Sequence, residues 1–437
     1  MRIIRRYLKK ELTRVLDAVT DPSTRLIVSV RRDATNSGCA EDLVMSDGAL
    51  VPARQLATYL QSARARKSQT VVLDSALIHV DDVYLALNGV AESWNAESRL
   101  ISVSYSRFWR PFVKGSRWLG AAQHLEETWI PPDEIVNQLQ QTGFEVIERR
   151  TAVIFPLPIP MISTLLNRFL APFPIIRHLC IYNIVIARPI SMTRPAEPSV
   201  SIVVAARNES GNIEPLVRRI PQLASRQELV FIEGGSSDDT WDAIQEVKNN
   251  PPLSGMTIKA FKQQGTGKGD AVRLGFAEAS GDIIIILDAD ISVPPEELTR
   301  FIDLLRNNVC EFANGSRLVY PIEKQAMQFL NLVGNRLFGA VFTFLLGQPV
   351  RDTLCGTKAL WADDYLRIAK QRNYFGDFDP FGDFDLLFGA ARLHLKIRDV
   401  PVHYKERVYG STNISRFRHG VLLLRMTLVA ACKLRFV

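Results

Sequence analysis

The chain has 437 residues, enough for two or three domains with separate cores. Its 47% hydrophobic and 23% charged residues exclude a disordered chain, and five scattered cysteines without a C-x-x-C pair argue against a zinc or disulfide framework. A net charge of +7 favours anionic partners such as phosphates, nucleotides or an acidic membrane surface, without choosing among them.

The first half alternates two kinds of segment. The charged N-terminus "MRIIRRYLKKELTRVLDAV" predicts an amphipathic basic helix and not a signal peptide. Strand-like runs are "RLIVSV", "TVVLDSALIHV" and "RLISVSYS"; helix-like runs are "ALVPARQLATYLQSARAR" and "DDVYLALNGVAESW". This alternation predicts a parallel sheet covered by helices. The segment "IPPDEIVNQLQQTGFEVIERR" then predicts a helix that ends at Gly143, followed by a strand.

The order of these elements, "DEIVNQLQQTGFEVIERR" and "LLNRFLAPFPIIRHLCIYNIVIARP" resemble class I S-adenosylmethionine-dependent methyltransferases. In that family the first strand runs into a glycine-rich loop, because only glycine lets the backbone approach the cofactor closely. Here "RLIVSV" runs into "RRDATNSGC", which contains only Gly38. The first half is therefore expected to be a degenerate methyltransferase-like domain, structural or regulatory, with methyl transfer as an alternative.

The stretch "ARPISMTRPAEPSV" is rich in proline and polar residues and predicts a linker. The predicted domains are residues 1–190, a linker over 191–198, and a second domain over 199–437.

Three apolar stretches are interrupted by charged residues or proline, and none reaches the roughly 18 apolar residues that a spanning helix needs. They are "PLPIPMISTLLNRFLAPFPIIRHLCIYNIVIA", "FLNLVGNRLFGAVFTFLLG" and "VLLLRMTLVAACKLRFV". Buried core and a peripheral membrane face both stay open for them. On a membrane face, four basic residues would meet anionic headgroups: Arg336, Arg425, Lys433 and Arg435.

In the second half, "DIIIILDAD" predicts a central parallel strand that ends at Asp288 and Asp290. Side chains two residues apart on a strand share a face, so both carboxylates can reach one point. Two anions that close favour a cation between them, and oxygen ligands suit Mg²⁺ or Mn²⁺. Alone, such a pair is weak evidence, because the acids could simply cap the next helix.

Three further strand–turn–helix units support the interpretation of Asp288 and Asp290 as functional residues. They are "VSIVVAARNESGNIEPLVRRI", "LVFIEGGSSDDTWDAIQEV" and "FKQQGTGKGDAVRLGFAEA". Ligands of open parallel sheets bind beyond the carboxyl ends of the strands. Four polar turns along one sheet edge therefore predict a nucleotide-sized site.

These motifs, with "NGSRLV", "DTLCGTKAL" and "FDLLFGAARLHLKIRDVPVHYKERVYGST", resemble family 2 glycosyltransferases over residues 198–437. The similarity is greatest to the branch that acts on dolichyl or polyprenyl phosphate, some members of which carry a methyltransferase-like domain in front. The resemblance implies an α/β fold. It comprises a GT-A nucleotide-diphospho-sugar transferase domain preceded by a Rossmann-like, methyltransferase-type α/β domain.

The resemblance also implies roles for particular residues. Glu209 and Glu233 would face the nucleobase and ribose of the donor, with Lys268 beside them. Asp288 and Asp290 would hold the metal and the donor diphosphate.

Phosphate charge would be compensated by Arg317 and Arg407. Asp383 or Asp385 would lie near the acceptor and would serve as the base if the acceptor is a hydroxyl group. From the residues alone, each of these two aspartates could equally cap the next helix, and Asp352 could be a turn cap with some acceptor role.

Three positions depart from the family pattern. Glu233 and Gly234 replace the usual aspartate pair, which allows a shift in base preference. Ser292 stands where these enzymes usually carry glutamine, and Met327 where an arginine points at the acceptor phosphate. These departures weaken the lipid-phosphate assignment, not glycosyl transfer.

The predicted function is metal-dependent, inverting transfer of a sugar from a UDP- or GDP-sugar to a lipid-linked or cell-envelope glycan acceptor. The predicted location is cytoplasmic, peripheral on the cytoplasmic face of the cell membrane, with no nucleic-acid partner. One alternative is nucleotidyl transfer onto a sugar phosphate, which needs a glycine-rich basic loop that "AARNESGN" lacks. The other is a non-catalytic scaffold.

Overall fold

The structure is a computed structural model. It describes residues 2–30, 42–45, 50–52, 55–62, 70–80, 82–112, 129–190, 194–252, 255–321, 329–375, 382–407, 409 and 416–437. The chain divides into two compact units: Met1–Arg194 together with Cys432–Val437, and Pro195–Ala431.

The N-terminal unit contains a seven-stranded sheet in the order β3-β2-β1-β4-β5-β7-β6. Its strands are β1 (Arg25–Val30), β2 (Asp42–Met45), β3 (Leu50–Pro52), β4 (Thr70–Asp74), β5 (Arg99–Tyr105), β6 (Phe144–Ala152) and β7 (Tyr182–Pro189). Strands β1, β4 and β5 run parallel, whereas β7 is antiparallel to both of its neighbours. The predicted parallel sheet is thus confirmed at its centre, and antiparallel strands complete both ends.

Helices cover this sheet on both faces. They are α1 (Arg2–Val19), α2 (Leu56–Ser62), α3 (Val83–Leu87), α4 (Val90–Ser93), α5 (Pro132–Gln141) and α6 (Ile162–Thr164), which continues as π-helix over Leu165–Leu170. Because side chains alternate along a strand, Val71 and Leu73 of β4 belong to one core, and Val72 belongs to the core that α1 covers.

Three predicted elements of this unit are wrong in part. The segment "ALVPARQLATYLQSARAR", predicted as a helix, begins with strand β3 (Leu50–Pro52), and helix α2 (Leu56–Ser62) follows. The strand expected over "TVVLDSALIHV" ends at Asp74, because Ser75 adopts a left-handed conformation (φ 58°) and a 3₁₀ turn follows. The helix expected over "DDVYLALNGVAESW" breaks into α3 and α4 at Gly89 (φ 70°). The helix expected before Gly143 is confirmed as α5. The loop "RRDATNSGC" lies outside the described residues, and the methyltransferase-like assignment stays a prediction.

The second unit contains a seven-stranded sheet in the order β10-β9-β8-β11-β13-β12-β14. Its strands are β8 (Val200–Ala206), β9 (Gln227–Glu233), β10 (Thr257–Lys262), β11 (Ile283–Ile286), β12 (Phe312–Ser316), β13 (Lys358–Trp361) and β14 (Ile397–Pro401). Its helices are α7 (Ser210–Arg219), α8 (Thr240–Asn249), α9 (Lys268–Glu278), α10 (Leu298–Arg306), α11 (Phe329–Leu346), α12 (Ala362–Lys370), α13 (Asp383–Arg392) and α14 (Arg416–Ala430).

The four strands β10, β9, β8 and β11 run parallel, as predicted from the four strand–turn–helix units. All four isoleucines of β11 are buried, which explains why this run is apolar on both faces. The α/β fold class is therefore confirmed in both units. Within the part of the chain that the structure describes, no helix combines the length and apolar character needed to cross a membrane.

Candidate active site

The topology of the second sheet brings seven segments to one edge. The turns that follow β8, β9, β10 and β11 meet there, because parallel strands end on the same side. Strand β13 is antiparallel to β11, so it begins at that edge with Lys358. Strands β12 and β14 end there too, and they deliver Arg317 and the segment that contains Arg407.

Lys268 and Asp288 form an ion pair at the centre of this edge. Lys268 is the first residue of α9, and its Nζ atom lies 2.5 Å from Oδ1 of Asp288. Burial alone would raise the pKa of Asp288, but the charge of Lys268 and its hydrogen bond reverse this and lower it. Burial would likewise lower the pKa of Lys268, and the charges of Asp288 and Asp383 raise it instead. Both groups are therefore charged at neutral pH.

Gly356 packs directly against this ion pair. A Cβ atom at position 356 would overlap the carboxylate of Asp288 and the ammonium group of Lys268. The motif "DTLCGT" therefore contains glycine at this position because the backbone approaches a charged pair closely.

Asp290 is paired with Arg407. Its side chain is 7% exposed, Nη2 of Arg407 lies 2.7 Å from Oδ2, and the backbone N–H of Ser292 donates to Oδ1. The two carboxylates at the end of β11 are thus each matched by one cation from a different segment. The alternative that Asp290 caps the next helix is not what the structure shows, since no side chain caps α10.

Glu209 lies at the start of α7 and interacts electrostatically with Asp290 and Arg407. Burial raises its pKa to about 6, a hydrogen bond from Asn212 (2.6 Å) opposes this, and the nearby charge of Asp290 adds to it. Arg407 acts in the opposite direction. Glu209 is therefore part of the same electrostatic site as Asp290 and Arg407, and its donor role stays a prediction.

Glu233 has a local structural function. Its Oε1 atom accepts a hydrogen bond from the backbone N–H of Ser236 (2.5 Å), which closes the turn after β9. Asp238 in the same turn accepts from the backbone and hydroxyl of Ser210 at the start of α7. Tyr409 joins these groups, with its hydroxyl 3.0 Å from Oγ of Ser210 and its ring against Gly211. The turns after β8 and β9 are thereby linked to the segment after β14.

Arg317 forms a fork-like ion pair with Asp352. Its Nε and Nη2 atoms donate to the two carboxylate oxygens at 2.7 and 2.8 Å, and Asp352 is 0% exposed. Burial would raise the pKa of Asp352, but the Arg317 charge and hydrogen bonds lower it. Arg317 also contributes to the low pKa of Asp288, so its charge reaches the candidate donor site. Its contact with donor phosphate stays a prediction.

Asp383 and Asp385 lie in the first turn of α13, and each has a basic partner. Nζ of Lys358 is 3.0 Å from Oδ1 of Asp383. Nε of Arg372 and Nη2 of Arg273 are 2.7 and 3.2 Å from Oδ2 of Asp385.

The first turns of α9 and α13 come close at two glycines. Gly382 (φ 74°) lies against Gly269, so no side chain separates these turns. Lys268 and Asp383 are thereby brought within electrostatic reach of each other. The structure thus brings Lys268, Asp288 and Asp383 into one charged region.

The residues fit a divalent cation as two of its ligands. Carboxylate oxygens suit Mg²⁺ and Mn²⁺, and the side chain of Asp288 is 26% exposed. Among the described residues, no three His, Cys, Asp or Glu side chains form a complete metal cluster. Mg²⁺ sites commonly use one or two carboxylates and complete their shell with water and substrate phosphates. Asp288 and Asp290 match that pattern.

Part of this edge matches a known family. Residues 201–363 match the family model described as glycosyl transferase family 2. Over these residues the chain is similar to family 2 glycosyltransferases. The match confirms the predicted resemblance of the second half to family 2 glycosyltransferases, and it contains the turns after β8, β9, β10 and β11.

Several named relatives align with this domain. A dolichol-phosphate mannosyltransferase of Pyrococcus furiosus is 35% identical over 167 residues, which cover 37% of this chain and 46% of that protein. A dolichyl-phosphate hexose transferase of Haloferax volcanii is 27% identical, and the alignment covers 53% of this chain and 93% of that protein. An undecaprenyl-phosphate 4-deoxy-4-formamido-L-arabinose transferase of Yersinia pestis is 28% identical, and the alignment covers 52% of this chain and 66% of that protein. The chain thus spans less than half of the Pyrococcus protein.

Among solved structures, one match is glucosyl-3-phosphoglycerate synthase from Mycobacterium tuberculosis with Mn²⁺, uridine diphosphate and glucosyl-3-phosphoglycerate. It is 22% identical, with 55% of this chain and 86% of that chain covered and a TM-score of 0.38. That similarity is too low to assign a ligand to the family 2 domain.

Sequence reasoning missed several residues of the site: Lys358, Gly356, Arg273, Arg372 and Tyr409. Lys358 had one usable signal, since it is a lone cation within the apolar strand segment "KALW" and is 0% exposed. Gly356 and Tyr409 lie within the quoted motifs "DTLCGTKAL" and "ERVYGST". Arg273 and Arg372 carry no local signal, because their partner Asp385 is in another element.

Proposed function

We propose that the chain transfers a sugar, with inversion, from a nucleoside diphosphate sugar to a polyprenyl-phosphate lipid or a cell-envelope glycan. One observation carries the proposal. Asp288 and Asp290, at the carboxyl end of a buried strand, are held beside Lys268 and Arg407 in a family 2 glycosyltransferase domain. Such an arrangement of alternating charges suits a metal–diphosphate complex.

On the donor side, Asp288 and Asp290 would hold Mg²⁺ or Mn²⁺. A bound ion of this kind neutralises charge that builds on a departing diphosphate. Lys268 and Arg407 supply two further positive charges at the same place, so they would stabilise the same leaving group. Glu209 would face the nucleobase and ribose.

On the acceptor side, an acceptor oxygen would attack the anomeric carbon while the bond to the diphosphate oxygen breaks. With a hydroxyl acceptor, Asp383 or Asp385 would take the proton. With a phosphate acceptor, the oxygen is already ionised and no base is needed.

The named functions of the aligned relatives support a polyprenyl-phosphate acceptor. Against it stands Met327, which lies outside the described residues and replaces an arginine expected to face the acceptor phosphate. The proposed location is the cytoplasmic face of a membrane, where such lipids would be accessible to a peripheral protein.

The test is to incubate the protein with a panel of UDP- and GDP-sugars and Mg²⁺ or Mn²⁺, and to measure release of UDP or GDP. Metal-dependent release is expected, and Asp290→Asn should reduce it by about 100-fold or more. Asp303→Asn, an exposed aspartate on α10, is the matched control and should leave the rate unchanged.

Two results would contradict the proposal. Release of pyrophosphate would indicate nucleotidyl transfer. Absence of both turnover and calorimetric binding with every donor would indicate a non-catalytic scaffold.

A further inference from the structure

The N-terminal unit exposes an unusual concentration of large apolar side chains. Of the 23 such side chains exposed among the described residues, ten lie between Leu157 and Leu179. Met161 and Ile175 are the most exposed, at 84% and 91%. Scattered exposed apolar residues are normal, but a contiguous group of this size indicates a surface that binds something.

This surface, here called the 157–179 surface, is firmly attached to the domain. Asn167, which is 5% exposed, accepts hydrogen bonds from the backbone N–H groups of Ile154 and Phe155. Its Nδ2 atom donates to the hydroxyl of Tyr7 and to the carbonyl of Phe155. The hydroxyl of Thr151 donates to the carbonyl of Ala171. Polar groups therefore face the domain, and the apolar side chains of the same segment face outward.

An aromatic and basic segment adjoins this surface. The indole N–H of Trp109 donates to the carbonyl of Leu179 at 2.8 Å. Trp109 also packs against Phe108 and Phe112, which are both exposed. The segment "RFWRPF" (107–112) adds two exposed arginines, Arg107 and Arg110.

The two segments that form this surface carry charge of one sign. The sequence contains no Asp or Glu between Arg149 and Ala196, and none within 107–112. Arg177 and His178 are exposed within the 157–179 surface itself. An apolar surface whose own charged side chains are all basic is complementary to a bilayer with anionic headgroups. Trp and Arg beside aliphatic side chains are also the residues that interfacial membrane contacts favour.

We infer that the 157–179 surface inserts into the interfacial region of an anionic lipid bilayer. The apolar side chains would enter the boundary between headgroups and acyl chains, and the arginines would contact lipid phosphates. The inference extends the proposed membrane location to a particular surface of the N-terminal unit. It needs neither donor nor acceptor.

The test uses the full chain in flotation with phosphatidylglycerol/phosphatidylcholine vesicles and with phosphatidylcholine vesicles. Binding to the anionic vesicles is expected, with weaker binding to the neutral ones and at high salt. The double variant Met161→Glu/Ile175→Glu should lower the partition coefficient about tenfold or more, because each change removes an apolar contact and adds a negative charge. The matched control is Leu85→Glu, a residue of the same unit that is 63% exposed, and it should bind as the wild type does.

Unchanged anionic vesicle binding by the double variant would overturn the inference. A second outcome would also overturn it: the wild type does not bind vesicles but self-associates in analytical ultracentrifugation, and the double variant does not self-associate. A second copy of the chain would then cover the surface. Circular dichroism checks that each variant is folded. Vesicle binding without nucleotide release would contradict the proposed function alone, and release without vesicle binding would contradict this inference alone.

Discussion

Gly356 and Asp288 are in such close contact that the backbone at position 356 has no room for a side chain. Gly356→Ala would place a methyl group against the Asp288 carboxylate and the Lys268 ammonium group, two charges that cannot move apart without losing their ion pair. We expect donor hydrolysis to fall about tenfold or more and the free energy of unfolding to fall by about 1–3 kcal/mol. Nucleotide release and urea unfolding measure the two effects.

Gly334→Ala is the control for this change. Gly334 lies within α11, and a Cβ atom there would meet no other atom within 4 Å. Activity should be unchanged, and stability unchanged or slightly higher, because alanine is the better helix former. Equal losses in the two variants would mean that the close contact at Gly356 has no special importance.

The raised pKa of Glu209 predicts a pH-dependent stability. Its pKa is about 6 in the folded protein against an ordinary value of 4.5, with burial as the main cause. Between these values the folded state binds more protons than the unfolded state, so the free energy of unfolding falls as pH rises through this range. Glu209→Gln removes the buried charge and should be more stable than wild type by about 1 kcal/mol at pH 7.5, after allowance for partial exposure. This gain should vanish near pH 4.5.

Thermal unfolding at the two pH values measures this difference. Glu214→Gln, an exposed glutamate on the same helix, should show no comparable gain. A stability difference between Glu209→Gln and wild type that is equal at both pH values would contradict the electrostatic explanation. If the carboxylate also contacts the donor, the more stable variant should bind UDP- or GDP-sugar more weakly.

Much of the fold followed from local patterns. The four strand–turn–helix units of the second half have distinctive periodicity and turn residues, so both their type and their meeting at one sheet edge were predictable. Two of the failures in the first half had local conformational causes: Gly89 and Ser75 adopt left-handed backbone conformations that end an otherwise continuous pattern. The third, strand β3 within a predicted helix, depends on its pairing with β2.

The pairings within the site could not be predicted in the same way. Asp288 and Asp290 were located from the end of a buried strand, but their partners Lys268 and Arg407 come from different segments. Such partners depend on strand order and on antiparallel β13, which no short-range pattern encodes. The sequence pattern around Arg317 also did not indicate that this arginine forms an ion pair with the buried carboxylate of Asp352.

The Arg317–Asp352 pair predicts a large loss of stability when one partner is changed. Asp352 accepts from Nε, Nη2 and the backbone N–H of Arg317 and from the N–H of Leu354, all in a buried position. Asp352→Asn leaves the guanidinium buried without a balancing charge, so the free energy of unfolding should fall by about 3–5 kcal/mol.

The exposed pair Arg218–Glu214, at 60% exposure on each side, provides a contrast for this prediction. Glu214→Gln should change stability by about 0.5 kcal/mol or less, because solvent screens this pair. Urea unfolding compares the two variants, and a similar small loss for Asp352→Asn would contradict the buried-pair argument.

The Lys358–Asp383 pair allows a double-mutant cycle that separates stability from acceptor chemistry. Lys358 is 0% exposed and lies 3.0 Å from Asp383, so Lys358→Met or Asp383→Asn alone leaves the other charge without its partner. Each single variant should lose about 3 kcal/mol of unfolding free energy, and the double variant should lose less than the sum, with a coupling of about 1–3 kcal/mol.

If Asp383 is the base, transfer to a hydroxyl acceptor should stay at least about 100-fold below wild type in the double variant even where stability is regained. Lys370→Met, a change at an exposed lysine of α12, is the control for the loss of a cation. Additive stability changes would show that the pair is not coupled, and normal transfer by the double variant would remove Asp383 as the base and leave Asp385.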